Sequence, residues 1–276
     1  MPFLLLDEHQ NKEPLQLFYQ DYGEGQPVIL IHGWPLSHRA WEPQMQAIAD
    51  AGYRAIAYDR RGFGVSFLPY ENFDYTTLAK DLHTLITRLD LKDCILVGFS
   101  MGGGEVVRYF TNHGSDRIAK AALISSIIPL VAKKDDNPHG VPKDALEGIM
   151  SALKTDRAAF LKDFVKNFYN AKQTGVSQAQ LDYAWNIGAF ASPRATVECA
   201  KAWAGTDFRS ECKNVKVPTL IVHGDADQIV PIKTSGAQAA KLIPDNEYHV
   251  VQDAPHGLNL THREELNRIL LDFFKS

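Results

Sequence analysis

The stretch CILVGFSMGGGEVV, residues 94–107, decides the fold of this chain. An apolar, β-favouring run leads into Ser100, glycines lie on both sides of that serine, and a helix-like pattern follows at once. Residues 98–102 match G-x-S-x-G, in which a sharp strand-to-helix turn holds the serine in a strained backbone conformation. Glycines remove the clashes that flanking side chains would make. The pattern predicts an exposed hydroxyl beside a helix N-terminus, although an ordinary glycine-rich turn would fit these five residues alone.

Strands and helices alternate on both sides of that turn. Strand-like stretches are LQLFYQDYG, PVILIHG and YRAIAYD before it, and RIAKAALISS, VPTLIVHGDAD and EYHVVQDAPHG after it. Helical spacing is clear in DYTTLAKDLHTLITRLDL, where Asp74 is the predicted N-cap, and in the closing LTHREELNRILLDFF. Because such alternation is typical of parallel sheets covered on both faces, we predict an α/β fold with a mostly parallel sheet and helices on both sides.

The alternation is interrupted by a segment that we predict to be a helical cap, residues 130–212. Prolines and charged residues predict a loop up to about residue 142, and only helical stretches follow, such as RAAFLKDFVKNFY and SQAQLDYAWNIGAF. The predicted α/β core therefore has two parts, residues 1–129 and 213–276. Several aromatic residues of the insert are candidates for its core, and one or two of them for the lining of an active site: Phe160, Phe164, Phe168, Trp185, Phe190 and Trp203.

Further groups at strand ends complete the chemistry that a serine nucleophile requires. A serine hydroxyl needs an oriented base to take its proton, and His256 follows the last predicted strand in DAPHGLNL. A carboxylate must hold that imidazole and stabilise its charged form, and Asp225 and Asp227 both follow the preceding predicted strand. The order Ser, Asp, His along the chain is the one expected for such a fold. The spacing predicts a serine–histidine–aspartate site, with two aspartates as candidates.

Composition narrows the class of protein further. The 276 residues are 45% hydrophobic, which is enough for one large core. The formal net charge of −4, without long runs of either sign, argues against nucleic acids and anionic membranes as partners. The three cysteines lack metal-ligand spacing, and no apolar run has the length of a membrane span or the pattern of a signal peptide. We expect a cytoplasmic protein that acts on a small molecule.

The motifs together resemble those of the α/β-hydrolase fold family over nearly the whole chain. The matching segments are HGWP (32–35), YDRRGFGVS (58–66), GFSMGGGE (98–105), HGDADQIVP (223–231) and APHG (254–257). Within that family, HGWP together with FSMGGGEVVRY is similar to the branch of cofactor-free haloperoxidases, perhydrolases and aryl esterases. The resemblance implies an eight-stranded sheet and a catalytic triad of Ser100, Asp227 and His256. It favours Asp227 over Asp225 because the family acid corresponds to the second aspartate of GDAD.

The resemblance also indicates which groups would surround a bound substrate. The backbone N–H groups of Trp34 and Met101 would form the oxyanion hole, because one follows the nucleophile and the other lies in the loop after a central strand. The predicted substrate pocket has as its lining Trp34, Phe99, Ile229 and Val230. No metal-ligand set and no nucleotide fingerprint is present in the sequence, so we expect no cofactor and no metal.

We therefore expect a serine hydrolase that cleaves small carboxylic esters, aryl or short-chain, through an acyl-enzyme. Serine at position 100 argues against the dehalogenases and epoxide hydrolases of the family, which carry an aspartate there. Two alternatives stay open: a lactamase or amidase that uses the same triad, and a non-catalytic small-ligand receptor on the same fold. The resemblance also raises the prospect of a homo-oligomer, since relatives often form one.

The residue after Trp34 suggests a side activity, and two histidines at predicted strand ends have no assigned role. Pro35 directly follows Trp34, and proline constrains the backbone of the residue before it. If the Trp34 carbonyl faces the pocket, it would accept a hydrogen bond from peroxide, so we predict perhydrolysis and cofactor-free halide oxidation beside ester hydrolysis. His32 and His223 each precede a glycine at a predicted strand end, where local hydrogen bonding is more usual than catalysis.

Overall fold

The computed structural model describes residues 2–10 and 13–276 and places eight strands in one sheet. They are β1 (Phe3–Gln10), β2 (Glu13–Tyr22), β3 (Pro27–Ile31), β4 (Arg54–Tyr58), β5 (Cys94–Phe99), β6 (Ile118–Ile124), β7 (Thr219–Gly224) and β8 (Asn246–Val251). Their order across the sheet is β1-β2-β4-β3-β5-β6-β7-β8. β2 is antiparallel to both of its neighbours, and every other pairing is parallel. The predicted eight-stranded, mostly parallel sheet is confirmed.

Helices cover both faces of this sheet. They are α1 (Glu42–Asp50), α2 (Tyr75–Arg88), α3 (Gly102–His113), α4 (Lys143–Thr155), α5 (Arg157–Phe168), α6 (Ala171–Thr174), α7 (Gln178–Phe190), α8 (Pro193–Gly205), α9 (Gly236–Leu242), α10 (Leu258–Thr261) and α11 (Arg263–Lys275). Successive side chains of a central strand enter two different cores: Ile29 and Ile31 pack with α2 and α3, and Val28 packs with α1 and α11. This double burial explains why the central strands are continuous apolar runs.

Two local features of the N-terminal half differ in how well the sequence predicted them. Asp74 caps α2 as predicted, since its carboxylate accepts the backbone N–H groups of Thr76 and Thr77. Strand β1 was not predicted, because the run FLLL hides the alternation that marks an edge strand. In the structure Leu4 is buried and Leu5 is exposed, and β1 pairs with β2 along the sheet edge.

The predicted helical insert is confirmed as the five helices α4 to α8 between β6 and β7. As expected, the segment before α4 contains no helix and only isolated bridges, such as the one between Ala132 and Val141. The insert shares the hydrophobic cores of the sheet, to which it contributes Leu161 and Phe168 of α5. Across the described ranges, no helix combines the length and apolar character that crossing a membrane requires.

Candidate active site

Ser100 stands at the turn that joins β5 to α3. Its φ of +52° lies in the left-handed region, which is strained for a residue with a side chain. Neighbouring glycines make room for the turn: a Cβ atom at Gly98 would lie 2.7 Å from the carbonyl oxygen of Gly102, and one at Gly102 would collide with the carbonyl of Ile31. The glycines on both sides of Ser100 are therefore required by the close approach of backbone, which is the physical basis of the motif.

Three side chains that are far apart in the sequence meet at this turn. His256 Nε2 lies 2.9 Å from Ser100 Oγ, and His256 Nδ1 lies 2.7 Å from Asp227 Oδ2. The three residues follow β5, β7 and β8, so the carboxyl edge of the parallel sheet brings them together. All three are buried, and Ser100 keeps 5% of its surface exposed. The geometry fits proton transfer from the hydroxyl to an imidazole that a carboxylate orients.

The two candidate aspartates have different environments. Oδ1 of Asp227 accepts the backbone N–H groups of Ile229 and Val230 at 2.9 and 2.8 Å, which leaves Oδ2 directed at the imidazole of His256. Asp225 is exposed, and its carboxylate accepts the N–H of Asp253 at 2.7 Å instead. The structure thus brings Asp227, and not Asp225, into contact with His256.

A second histidine contacts the same carboxylate. His223 Nε2 lies 3.1 Å from Asp227 Oδ2 and 2.9 Å from the carbonyl oxygen of Val230. Burial alone would raise the pKa of the Asp227 carboxyl, but the charge and hydrogen bonds of His256 and His223 outweigh it and hold that pKa well below its ordinary value. Asp227 is therefore ionised across the neutral range, as an orienting carboxylate must be.

Two backbone N–H groups near Ser100 are free to bind an oxyanion. Within residues 2–10 and 13–276, the amides of Trp34 and Met101 donate no hydrogen bond. A Cβ atom at Gly33 would lie 3.1 Å from the Cβ of Ser100, so the loop after β3 runs directly past the serine. Met101 follows the serine and precedes the first residue of α3, where helix N–H groups lack partners. Both amides therefore suit the role that the sequence suggests for them.

A cavity of about 200 Å³ opens beside Ser100 and His256 and is lined mainly by apolar side chains. Trp34, Ile229 and Val230, which the sequence suggests for the substrate pocket, are among its lining residues. Phe99 does not line it, and this prediction is wrong. The Phe99 ring is fully buried and packs against Trp41 and against the imidazole of His256, with centroid distances of 5.9 and 5.4 Å.

Most of the remaining lining comes from the helical insert and the loops beside it. The residues that sequence reasoning did not place in the pocket are Ile127, Val141, Leu146, Ile149 and Gln228. Of the insert aromatics, Phe160, Phe164 and Trp203 face the cavity. The i,i+4 spacing of Phe160 and Phe164 predicts that they share one face of α5. It does not predict that this face lines the cavity.

The other insert aromatics have different surroundings. Phe168 packs edge-on against the His256 ring at 4.8 Å. The indole of Trp185 donates to the carbonyl of Ala158, and Phe190 is 77% exposed. In the part of the chain that the structure describes, no group of three or more histidine, cysteine, aspartate or glutamate residues is arranged to hold a metal ion.

The strand order, the strained serine and its hydrogen-bonded partners define an α/β-hydrolase. A sequence model of the alpha/beta hydrolase fold matches residues 26–263. A non-heme chloroperoxidase, CPO-A1, from Kitasatospora aureofaciens is 42% identical over 95% of this chain and 97% of its own length. A bifunctional esterase/perhydrolase, DCH, from Acinetobacter calcoaceticus is 35% identical over 96% of this chain and 98% of its own.

A solved structure agrees with these sequence relatives. The crystal structure of a bromoperoxidase from Bacillus anthracis superimposes with a TM-score of 0.94 at 44% identity, covering 96% of this chain and 98% of that one. The chain therefore belongs to the α/β-hydrolase fold family, in its branch of non-heme, cofactor-free haloperoxidases and esterase/perhydrolases, and the resemblance seen in the sequence is confirmed.

Proposed function

We propose that the protein is a serine hydrolase that cleaves small carboxylic esters through an acyl-enzyme. The proposal rests on two hydrogen bonds beside an apolar cavity, one between Ser100 Oγ and His256 and one between His256 and Asp227. Membership in a branch that contains a bifunctional esterase/perhydrolase supports the choice of ester as substrate.

The same three residues carry both halves of the reaction. His256 Nε2 takes the proton from Ser100 Oγ as that oxygen attacks the ester carbonyl. The tetrahedral intermediate collapses, the bond to the leaving oxygen breaks, and His256 returns the proton to the departing alcohol or phenol. A water molecule that His256 deprotonates then attacks the acyl carbonyl, which releases the carboxylic acid and restores Ser100. The carboxylate of Asp227 holds the imidazole in the required tautomer throughout.

The oxyanion of each tetrahedral intermediate would lie against the N–H groups of Trp34 and Met101. These donors are fixed before the reaction, so they stabilise the developing charge without a cost of reorganisation. Removal of one such donor lowers kcat by about 10²- to 10³-fold in well-studied cases.

The cavity favours small apolar substrates. Its volume of about 200 Å³ lies below the roughly 300–1,000 Å³ of sites for drug-sized ligands. Indole and phenyl groups from Trp34, Phe164 and Trp203 provide flat apolar walls. Short acyl chains and aryl groups fit such a space, and long acyl chains do not.

A panel of 4-nitrophenyl esters, from acetate to dodecanoate, tests the proposal. We expect turnover that is highest for short acyl chains and is abolished in Ser100→Ala. A matched small lactam measured beside the esters separates ester from amide hydrolysis, since faster lactam turnover would identify a lactamase. Saturable ester binding without turnover of any chain length would instead indicate a receptor.

Hydrogen peroxide is a second nucleophile that the site favours. Among the described residues none donates a hydrogen bond to the carbonyl of Trp34, a residue that lines the cavity. Peroxide attacks the acyl-enzyme as His256 takes one of its protons; the bond to Ser100 Oγ then breaks, His256 returns the proton to Oγ, and a peracid leaves. The remaining O–H of the peroxide, on the oxygen beyond the attacking one, would donate to the Trp34 carbonyl, and water has no such second oxygen.

The peracid would then oxidise halide in solution. Transfer of its terminal hydroxyl oxygen, with the hydrogen, to bromide gives the carboxylate and hypobromous acid, so peroxide is consumed as the oxidant. Bromination of monochlorodimedone in the presence of methyl acetate, peroxide and bromide tests this activity. We expect bromination by the wild-type protein and none by Ser100→Ala, and absence of peracid from both would remove the proposal.

A further inference from the structure

His32 lies beside the proposed oxyanion hole and is fully buried, yet it takes no part in the proposed triad. It follows β3 and precedes Gly33, at which a Cβ atom would lie 3.1 Å from the Cβ of Ser100. The sequence predicts only a local hydrogen bond for it. The structure shows that the partner of this bond is the carbonyl oxygen of Gly33.

The hydrogen bonds of the His32 ring determine its tautomer. Nε2 accepts the backbone N–H of Arg60 at 3.0 Å, so that nitrogen carries no proton. Burial, followed by the nearby charge of Arg60, lowers the pKa of His32 well below its ordinary value, and the ring is neutral. Its single proton is therefore on Nδ1, which lies 2.8 Å from the carbonyl oxygen of Gly33 and donates to it. Arg60 Nη1, itself a donor, lies farther from Nδ1, at 3.4 Å, and the shorter contact with the carbonyl determines the assignment.

That carbonyl belongs to the peptide group whose N–H is the proposed oxyanion donor. The Gly33–Trp34 peptide bond is trans, so its C=O and its N–H point in opposite directions. The Gly33 oxygen accepts two hydrogen bonds, one from His32 Nδ1 and one from the N–H of Leu36 at 3.0 Å. Because the peptide group is planar, holding the oxygen in one direction fixes the Trp34 N–H in the opposite direction.

The second proposed donor, the Met101 N–H, is held in the same way but by backbone groups alone. It belongs to the Ser100–Met101 peptide, whose carbonyl oxygen, that of Ser100, accepts the N–H groups of Gly103 and Ile127 at 3.1 and 3.3 Å. His32 is thus the one side chain that the structure shows holding the carbonyl of either donor peptide within the described residues.

We propose that His32 is a positioning residue of the oxyanion hole: its Nδ1–H bond to the Gly33 carbonyl aims the Trp34 N–H at the oxygen that becomes negative during acyl transfer. The inference rests on the proposed ester hydrolysis. Donation to the carbonyl also polarises the peptide, which makes its N–H a stronger hydrogen-bond donor.

A buried ionic cluster keeps the ring in place. Arg60 Nη2 donates to the carbonyl oxygen of His32 at 2.7 Å, and the guanidinium forms an ion pair with Glu105. Tyr58 donates to the other oxygen of Glu105 at 2.5 Å. Since Glu105 lies in the first turn of α3, this cluster connects the oxyanion loop to the helix that follows Ser100. A flip of the His32 ring would break its bonds on both sides.

Two substitutions at position 32 separate positioning from packing. The amide nitrogen of Asn occupies nearly the place of histidine Nδ1, and the amide oxygen of Gln nearly the place of Nε2, where it can accept the N–H of Arg60. His32→Asn therefore keeps the donor to Gly33 and loses the acceptor for Arg60, whereas His32→Gln loses the donor to Gly33. Each variant leaves one buried bond unmade, so both should have lower thermal midpoints.

Ester kinetics give the decisive comparison. We expect His32→Gln to lower kcat by about 10- to 100-fold with KM within about twofold, because a misdirected donor costs less than its removal. His32→Asn should keep kcat within about threefold of wild type. Affinity for an aryl trifluoromethyl ketone, which forms a charged tetrahedral adduct with the serine, should fall in parallel with kcat. Equal loss of kcat in both variants would overturn the positioning role.

A measurement on the wild-type protein tests whether His32 Nδ1 donates to the Gly33 carbonyl, even if neither variant folds. Long-range proton–nitrogen NMR correlations of the imidazole should place the His32 proton on Nδ1, and a proton on Nε2 would overturn the proposal. The two proposals fail in different ways. Wild-type protein that hydrolyses no ester refutes the proposed function and the positioning role with it, whereas active wild type with equally impaired Asn and Gln variants refutes the positioning role alone.

Discussion

His223 Nε2 lies 3.1 Å from Asp227 Oδ2. The same oxygen lies 2.7 Å from Nδ1 of His256, so two imidazoles share one carboxylate oxygen. Nε2 of His223 faces this oxygen and the carbonyl of Val230, both of them acceptors, and therefore carries the ring proton. Asp227 consequently keeps its negative charge and its orientation although it is buried.

Replacing Asp227 by Asn should lower kcat by roughly 10⁴-fold, because an amide in place of the carboxylate favours the wrong imidazole tautomer. Asp225→Asn is the matched control, since its carboxylate is exposed and bonds to the N–H of Asp253. That variant should stay within about threefold of wild type in the 4-nitrophenyl acetate assay. A larger loss at position 225 than at 227 would show that the acid is misassigned.

The depressed pKa of Asp227 also predicts how stability depends on pH. The folded-state pKa lies below the unfolded value of about 3.9, so this carboxylate contributes stability that is complete above that value and is lost as pH falls through the folded pKa. The free energy of unfolding of wild type minus that of Asp227→Asn should therefore rise from pH 2 to about pH 5. Urea titrations across this range check it, and a difference that does not vary with pH would contradict it.

Ser100→Ala should fold normally and lose roughly 10³- to 10⁶-fold in ester turnover, because the nucleophile and its base act as a unit. The substitution keeps a side chain at the strained φ of +52° and removes only the hydroxyl. Far-UV circular dichroism and the thermal midpoint serve as folding controls. Substantial activity in a folded variant would exclude Ser100 as the nucleophile.

The sequence predicted the core sheet and the meeting of Ser100, Asp227 and His256 because local rules govern both. Buried parallel strands are continuous apolar runs, and residues that directly follow such strands meet at one edge of the sheet. The glycines around Ser100 mark a turn that only small neighbours permit. Each of these signals lies within about ten residues of the feature that it predicts.

The pocket was less predictable because it depends on side-chain direction and on tertiary packing. Phe99 shares its face of β5 with Ile95 and Val97, and all three enter the same core cluster. This two-residue period already argued against a place for Phe99 in the pocket. No comparable signal existed for Leu146 or Trp203, because helical periodicity shows which residues share a face but not what that face meets.

Shortening one insert aromatic should widen the acyl preference. Phe164 lines the cavity and packs edge-on against Trp34, with ring centroids 5.3 Å apart. Phe164→Ala should raise the ratio of kcat/KM for hexanoate over butyrate esters about 15-fold, since room for two more methylenes gains about 0.8 kcal/mol each. Phe190→Ala, which shortens an exposed ring of the same insert, is the control and should leave the ratio unchanged. A similar shift in both variants would mean that the insert acts through stability and not through the pocket.

Replacing Pro35 by Leu should lower perhydrolysis relative to hydrolysis. Pro35 follows Trp34 directly, and its ring lies against α7, since a Cβ atom at Gly188 would be 3.2 Å from the Pro35 Cγ. The ring restricts the backbone of Trp34, whose carbonyl accepts no hydrogen bond from residues 2–10 and 13–276. Leucine would release that restraint, and the loss of one hydrogen bond to peroxide corresponds to about 1 kcal/mol, or about a fivefold change in the ratio.

The measurement follows peracid and carboxylic acid formed from one methyl ester in the same peroxide solution. Hydrolysis without peroxide is the internal control and should change by less than about threefold, because neither Ser100 nor His256 contacts Pro35 through a hydrogen bond in the described residues. A fall in both rates by the same factor would mean that leucine disturbs the neighbouring N–H of Trp34, which both nucleophiles need. An unchanged ratio would exclude Pro35 from the choice between water and peroxide.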